Sequence, residues 1–359
     1  MLVHICCSVD SHFFLQKLRS DYQDEKLVGF FYDPNIHPYS EYRLRLLDVQ
    51  RSCDILGIEL IEGEYDIDGW MRAVKGLEME PEKGARCSVC FDRRFEVSAE
   101  MAKSIGESSF TSTLLVSPKK SIEQLRRVGD ALADRYGIRF IAPDYRKGSG
   151  TQEQNILAKR DKLYRQDYCG CIFGLKIQRG QQQKLADELF VPISNRIEPD
   201  SIEYRLQLYR ERLELERRGI EYRIIKERFL NWRLEYALLK VRREVVASHI
   251  LPYSTLQRGF SRGKIGYNIG DIYYLDRDGV KFVTLEFYNR VTDSRYSSIQ
   301  ELIFSPPSFD IEINFRERVL KSHYDISTII VVDTIPTGRI EIVLKSHVYD
   351  DMREELIEV

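Results

Sequence analysis

Six of the chain's seven cysteines occur as three close pairs. Their thiols are the side chains whose type and spacing most clearly indicate a chemical function. Two thiolates held a few residues apart can share one metal centre or exchange one disulfide. The pairs are Cys6-Cys7, Cys87-Ser88-Val89-Cys90 and Cys169-Gly170-Cys171. Because no secretory signal is recognised, we expect a cytoplasmic protein, in which paired cysteines bind metal or carry redox chemistry.

The first two pairs together offer four thiolates to one metal centre. Cys87 and Cys90 are expected at the start of a helix among arginines, and both surroundings stabilise thiolates. For this pair the sequence is compatible with three alternatives: a zinc site, a redox disulfide or an iron-sulfur cluster. Adjacent cysteines such as Cys6 and Cys7 are awkward zinc chelators, whereas a cluster accepts irregular spacing because each cysteine binds a different iron.

The third pair differs because only Gly170 separates Cys169 from Cys171. So short a spacing favours a strained, reducible disulfide, the kind that serves redox work rather than stability. The alternative is that these two cysteines are additional metal ligands. The seventh cysteine, Cys53, stands in an apolar stretch and is expected in the core.

The elements that must position these thiols alternate between short apolar strands and segments of helical spacing. This order predicts an α/β domain with a parallel sheet over residues 1–180. In such a sheet, ligands collect beyond the carboxyl ends of the strands, and Cys6 directly follows the first predicted strand. The expected strands include 2–5, 27–32, 58–61 and 109–111.

The loop after the first strand resembles a known motif with its key residues replaced. Pyrophosphatase-loop enzymes that activate tRNA with ATP carry Ser-Gly-Gly-x-Asp-Ser at this place, and this chain has Cys6-Cys7-Ser8-Val9-Asp10-Ser11. Glycines let backbone amides close around a phosphate, and both glycines are missing here. The substitution predicts a thiolate site in place of a phosphate site.

Five motifs together resemble the QueH family of epoxyqueuosine reductases, in family order and over about residues 1–175. The resemblance implies a tRNA-modifying oxidoreductase of pyrophosphatase-loop-like (HUP) fold that uses a 4Fe-4S cluster to reduce epoxyqueuosine to queuosine at the wobble base. The motifs are His4-x-Cys6-Cys7; Tyr32 to Pro38 with Glu41, Tyr42 and Arg45; Gly84-x-Arg86-Cys87-x-x-Cys90; Asp144-Tyr145-Arg146-Lys147; and Tyr164-Arg165-Gln166-x-Tyr168-Cys169-Gly170-Cys171.

Under this resemblance the cluster passes electrons while Cys169 and Cys171 cycle between dithiol and disulfide. Asp10 stands where many relatives have a further cysteine, so it could bind an additional iron through its carboxylate, or it could simply cap the following helix. Either Asp10 or His37 would deliver a proton, although His37 could equally be a solvated loop residue. The implied partners are tRNA carrying epoxyqueuosine and an electron donor that the sequence does not identify.

Residues 181–359 lie outside the resemblance and are predicted to form an α+β extension, helical over 201–248 and then rich in strands. Residues 311–315 alternate like one of these strands. From Arg205 to Arg243, twelve basic residues stand against six glutamates, although the whole chain has a net charge of -2. This stretch would contact the tRNA backbone or form an ordinary amphipathic helix face.

Two other classes of protein stay open on the sequence. One is an ATP-dependent tRNA-modifying enzyme of the pyrophosphatase-loop fold, and the other is a zinc-binding RNA module without enzymatic activity. No apolar run is long enough to suggest a membrane span, so no membrane association is expected.

Overall fold

The computed structural model describes residues 1–117, 121–191, 193–194, 196–320, 322 and 324–359. Contacts divide these residues into two compact units. The first contains residues 1–186, 205–222 and 359, and the second contains 187–204 and 223–358. The sequence boundary near residue 181 stays a prediction, and residues 205–222 group with the first unit.

The first unit is built on a five-stranded parallel sheet with the order β3-β2-β1-β4-β5. This arrangement confirms the predicted α/β class. Its strands are β1 (Leu2–Ile5), β2 (Val28–Phe31), β3 (Glu59–Glu62), β4 (Ser109–Ser112) and β5 (Arg139–Phe140). Its helices are α1 (Ser8–Asp21), α2 (Tyr39–Leu56), α3 (Ile67–Ala73), α4 (Ala85–Ser104), α5 (Ile122–Tyr136), α6 (Gly150–Arg160), α7 (Ile172–Gln181) and most of α8 (Ile202–Arg217).

The strand order places a crevice at the carboxyl end of β1. The chain leaves β1 towards β2 on one side and returns to β4 on the other, so the order reverses between β1 and β4, where open α/β sheets bind ligands. Strand β1 is buried along its whole length, which fixes the position of the residues that follow it. Below the crevice, His4 Nδ1 lies 2.8 Å from Ser112 Oγ, so buried polar groups of neighbouring strands satisfy one another.

The second unit holds a mixed five-stranded sheet of order β10-β11-β12-β13-β8 and a four-stranded sheet of order β7-β6-β14-β9. One face of the mixed sheet packs on helices through Val283 and Val331, and the other packs on β14 through Phe282 and Ile330. The strands are β6 (Tyr222–Val241), β7 (Glu244–Val246), β8 (His249–Ile250), β9 (Phe260–Gly263), β10 (Ile265–Ile269), β11 (Ile272–Leu275), β12 (Lys281–Thr284), β13 (Ile329–Val332) and β14 (Ile340–Glu358). The helices are α9 (Leu285–Thr292), α10 (Ile299–Phe304) and α11 (Phe309–Leu320).

The prediction of helix over residues 201–248 is wrong beyond residue 217. Helix α8 ends at Arg217, and the chain continues as the 20-residue strand β6, which neighbours β14 in the sheet. Arg228 pairs with Asp350, and Lys226 Nζ lies 3.7 Å from Glu354. Carboxylates of β14 therefore offset these positive charges locally, and a contact of this stretch with tRNA stays a prediction.

The predicted strand at residues 311–315 is also wrong, because these residues lie in α11. The buried face of this helix carries Glu312, Phe315, Arg316 and Val319, which follow a helical period. Two of these four buried residues are charged. A prediction that counts only apolar residues therefore misses the helical period.

The buried Glu312 has several partners within the second unit. It is 0% exposed, and its carboxylate contacts Arg196, His249 Nε2 at 2.5 Å and the hydroxyl of Tyr288 at 3.3 Å. Burial acts to raise the pKa of Glu312, but His249 and Arg196 lower it overall. The carboxylate is thus held in its charged form by partners from three separate segments.

Replacing Glu312 by Ala is expected to lower the free energy of unfolding of the second unit by about 3–5 kcal/mol, because the largely buried Arg196 loses its carboxylate partner and His249 loses a hydrogen-bond partner. Urea unfolding followed by the fluorescence of buried Trp232, in a Trp70→Phe background, measures this unit. Exposed Asp310 on the same helix supplies the control, and Asp310→Asn should change little. Equal effects of the two substitutions would contradict the structural role of Glu312.

Candidate metal centre

A cavity of about 460 Å³ opens beside the carboxyl ends of the central strands, and its wall gathers all three cysteine pairs. Residues that stand far apart in the sequence thereby share one space. Besides the six cysteines, charged and polar side chains complete the wall, among them Asp10, Asn35, Arg45, Arg86, Arg94 and Gln154.

The first pair forms the whole connection between β1 and α1. Cys6 follows the strand directly and Cys7 precedes Ser8, the first residue of the helix. Their sulfurs lie 3.9 Å apart, and Cys6 Sγ lies 3.8 Å from Thr113 Oγ1 in the turn after β4. The hydrogen bond between the two thiols lowers the pKa of Cys6 and raises that of Cys7, and burial reinforces the second effect. Cys6 is therefore the better thiolate of the two.

Asp10 completes a group of three potential ligands with this pair. One ligand atom each of Cys6, Cys7 and Asp10 lies within 4.8 Å of the others. Gln154 Nε2 donates a hydrogen bond to Asp10 Oδ1 at 2.6 Å. Burial raises the pKa of Asp10 to about 6, against hydrogen bonds from Gln154 and Cys7. The carboxylate thus has protein partners, and a second iron is not needed to explain its burial.

The second pair lies in the first turns of α4, which confirms the expected helix start. The backbone N–H of Lys83 donates to Cys87 Sγ at 3.3 Å. Burial raises the pKa of Cys90, while Arg94 acts to lower it. Arg86, which is 1% exposed, donates from Nη1 to carbonyl oxygens of the preceding loop, those of Leu77 (3.3 Å), Glu78 (2.8 Å) and Glu80 (2.6 Å). This arginine fixes the loop from which the cysteine-bearing helix emerges.

The third pair lies in the loop that leads into α7, with Cys171 at the N-cap position. A hydrogen bond with Cys169, together with burial, raises the pKa of Cys171 well above its ordinary value. No disulfide joins any of the cysteines, all of which lie in the described residues. Gly170 has φ of +99°, and a Cβ there would lie 2.8 Å from the side chain of Ile36, so only glycine fits between the two thiols.

Two side chains and one backbone group from the loop after β2 and from α2 hold this third pair in place. Arg45 Nη2 donates to the carbonyl of Tyr168 at 3.0 Å, and Asn35 Nδ2 donates to that of Cys169 at 3.4 Å. The backbone N–H of His37 donates to the carbonyl of Gly170 at 2.8 Å. His37 is not among the described residues that line the cavity. Its backbone N–H contacts the loop that carries Cys169 and Cys171.

Arg94 is a site residue that sequence reasoning did not single out. It is 4% exposed, pairs with buried Asp33 and lines the cavity beside the thiols. Burial acts to lower its pKa, but Asp33, Cys90 and Cys6 raise it overall. The sequence shows arginines after Cys90. Since residues four apart lie on the same side of a helix, the spacing could have indicated that Arg94 and Cys90 share one face of α4.

The donor set fits a metal that prefers sulfur. Among the residues that the structure describes, six thiols and the carboxylates of Asp10, Glu82 and Asp167 line the cavity, and of these carboxylates Asp10 groups with Cys6 and Cys7. Soft thiolate ligands select zinc, copper(I) or iron-sulfur clusters. A buried guanidinium, that of Arg94, is already in place to offset thiolate charge. The connection after β1 is a two-residue turn without glycine, which leaves no glycine-rich loop for a nucleotide phosphate.

Fold and site together define an α/β protein with a parallel sheet and a thiol-lined centre beside the carboxyl ends of its central strands. A family model described as Epoxyqueuosine reductase QueH matches residues 1–177. A relative from Helicobacter pylori named Epoxyqueuosine reductase QueH is 38% identical over 352 residues, which is 93% of this chain and 94% of the relative. The chain therefore belongs to the QueH family of epoxyqueuosine reductases, as its motifs predicted.

Other relatives match about half of this chain. The Epoxyqueuosine reductase QueH of Thermotoga maritima is 33% identical over 189 residues, which is 52% of this chain and 95% of the relative. Among solved structures, the U34-tRNA thiolase NcsA from Methanococcus maripaludis with its [4Fe-4S] cluster aligns at 15% identity over 60% of this chain and 73% of its own, with a TM-score of 0.33, which is too low to carry an argument. No described helix is long and apolar enough to cross a membrane.

Replacing Cys7 by Ala is expected to raise the pKa of Cys6, because the hydrogen bond that most stabilises its thiolate is lost. Less thiolate is then present at neutral pH, so alkylation of Cys6 slows and its midpoint moves to higher pH. The measurement is the alkylation rate of Cys6 against pH in metal-free, reduced protein, resolved by mass spectrometry. Cys53→Ala is the control, and an unchanged or lower midpoint in Cys7→Ala would contradict the assignment.

Proposed function

We propose that this chain reduces the epoxide of epoxyqueuosine in tRNA to give queuosine, with a metal cluster and a dithiol acting in one cavity. The observation that carries the proposal is the convergence of six cysteines from three distant segments on that cavity. The family membership of the chain supports the same reaction. The tRNA and an external electron donor are the partners that this function requires.

Cys6, Cys7, Cys87 and Cys90 are the residues that we propose to hold a 4Fe-4S cluster. Such a cluster, when bound, supplies single electrons at low potential. Cys6 and Cys7 present their sulfurs from the end of β1, and Cys87 and Cys90 present theirs from the start of α4. Arg94 lies beside both sets and lowers the electrostatic cost of gathering thiolates in a buried space.

Cys169 and Cys171 have the electron count that the reaction needs. Converting an epoxide to an alkene and water consumes two electrons and two protons. Oxidation of two thiols to one disulfide releases two electrons and two protons, so the pair balances the reaction, and the external donor then returns it to the dithiol. Burial and the hydrogen bond with Cys169 raise the pKa of Cys171, which favours its thiol form.

Asp10 is the group that we propose to deliver a proton to the departing epoxide oxygen. Its carboxyl lines the cavity next to Cys7 and is held by Gln154. His37, the other candidate from the sequence, offers its backbone to the redox loop instead. An additional iron near Asp10 has no support beyond the carboxylate itself.

The rival functions make different use of the same cavity. A zinc-binding RNA module would use the four thiolates of Cys6, Cys7, Cys87 and Cys90 but would leave the third pair without a role. An ATP-dependent enzyme would need a phosphate-binding loop at the position that Cys6 and Cys7 occupy. Both alternatives are separated from the reductase by metal analysis and by assays of epoxide reduction.

Anaerobically prepared protein is expected to be brown and to contain about four irons and four sulfides per chain, as a cysteine-ligated cubane requires. Cys87→Ala or Cys90→Ala should remove the cluster, because each deletes one thiolate ligand. Cys53→Ala, in the core away from the cavity, is the matched control. Stoichiometric zinc without broad visible absorption would exclude the cluster and favour the zinc-binding module.

Cys169→Ser and Cys171→Ser should each keep the iron content and the visible spectrum yet abolish epoxide reduction, because a serine hydroxyl cannot form a disulfide. Mass spectrometry of alkylated samples before and after oxidation reports the disulfide directly. Loss of iron in either variant would instead identify that cysteine as a cluster ligand.

A further inference from the structure

We propose that Arg212 is a positioning residue for the thiol pair Cys169 and Cys171. The family match ends at residue 177, and Arg212 lies beyond it in helix α8. Residues 205–222, which include this arginine, nevertheless group with the first unit. The role of the pair rests on the proposed function, whereas the contacts that link Arg212 to it are independent of any reaction.

The first contact joins Arg212 to Asp48 in the middle of α2. Both side chains are 0% exposed, and Arg212 Nη2 donates to Asp48 Oδ1 at 2.6 Å. The other carboxylate oxygen of Asp48 accepts from Ser8 Oγ and from the backbone N–H of Tyr164, the latter at 2.7 Å. One buried carboxylate therefore ties together the residue next to Cys7, the segment that leads to Cys169, and helix α8.

Arg212 also holds the segment before Cys169 directly. Its Nη1 donates to the carbonyl of Lys162 at 2.9 Å. Its guanidinium lies 4.5 Å from the ring centre of Tyr209, and that ring meets the ring of Tyr164 edge-on at 5.3 Å. Helix α8 thus contacts residues 162–164 through a hydrogen bond from a charged guanidinium and through aromatic packing.

From Tyr164 the connection continues to the redox loop through a second buried ion pair. The Tyr164 hydroxyl donates to Glu41 Oε2 at 2.9 Å, and Arg45 Nε donates to Glu41 Oε1 at 2.6 Å. Arg45 Nη2 then donates to the carbonyl of Tyr168, the residue before Cys169, at 3.0 Å. Tyr164 is buried and its pKa is raised, first by burial and then by Glu41, so it stays a hydrogen-bond donor.

Loss of the Arg212 guanidinium would leave the Asp48 charge buried without its cation. The least costly relief is local opening of residues 162–171, because that admits water to Asp48 while the central sheet stays intact. Helix α8 would keep its place through a second ion pair, in which Arg51 binds Glu216 at 2.8 Å. A substitution at position 212 should therefore loosen the redox loop without detaching the helix.

The test compares alkylation rates of individual cysteines in the reduced, anaerobic, full-length chain. Cys169 reports the redox loop, and Cys53, which is 0% exposed in the core, reports global opening. Arg212→Met should raise the alkylation rate of Cys169 about tenfold relative to Cys53, since a local opening costs less than global unfolding. Arg217→Met is the matched control on the same helix, since the Arg217 side chain is 69% exposed, and it should leave both rates unchanged.

A conservative variant keeps the test decisive if Arg212→Met does not fold. Arg212→Lys retains a positive charge for Asp48 but cannot also reach the carbonyl of Lys162, so it should show a smaller rise at Cys169. The positioning role would be overturned if the alkylation rates of Cys169 and Cys53 rose equally. It would also be overturned if the ratio of these two rates stayed unchanged in both variants. In assays of epoxide reduction, Arg212→Met should lower kcat and leave KM unchanged, whereas an increase in KM alone would also overturn it.

The alkylation result does not depend on substrate or on metal. If epoxide reduction is absent from the native chain but Cys169 still accelerates in Arg212→Met, the proposed function fails and the positioning role stands. If the native chain reduces the epoxide and the Cys169 rate does not respond, the positioning role alone fails.

Discussion

The site depends on keeping ionisable groups together in a buried space. Six thiols and the carboxylate of Asp10 line one cavity, and any of them that lose their protons would repel one another in its low-dielectric interior. Buried guanidinium groups offset that repulsion: Arg94 lies beside Asp33 and Cys6, and Arg45 holds the loop of Cys169. The site therefore requires these arginines as well as the cysteine sulfurs.

Backbone geometry brings the three pairs to this place by different routes. The end of β1 delivers the first pair, the start of α4 delivers the second, and the loop before α7 delivers the third. The parallel sheet brings the first two pairs to one edge, and buried hydrogen bonds fix the position of the third pair. Asp48 and Glu41, both on α2, carry these bonds, so one helix links Ser8, next to Cys7, to Tyr164 in the segment before Cys169.

The cysteine pairs, the parallel sheet and the family could be predicted because their signals are local. A strand before Cys6 and a helix from Cys87 onward leave short apolar or helical patterns in the sequence. The second half could not be predicted in the same way. Strand β6 is rich in residues that favour helices, and its partners are distant: Arg228 meets Asp350 across 122 residues. The pair of Asp48 and Arg212 spans 164 residues, so no local pattern assigns that helix to the first unit.

Anomalous diffraction at the iron edge, from crystals of anaerobically prepared protein, tests the central claim most directly. The account predicts iron within bonding distance of the sulfurs of Cys6, Cys7, Cys87 and Cys90, and none bonded to Cys169 or Cys171. Iron bonded to either of the last two, or an anomalous signal at the zinc edge alone, would contradict the division of the six cysteines into ligands and a redox pair.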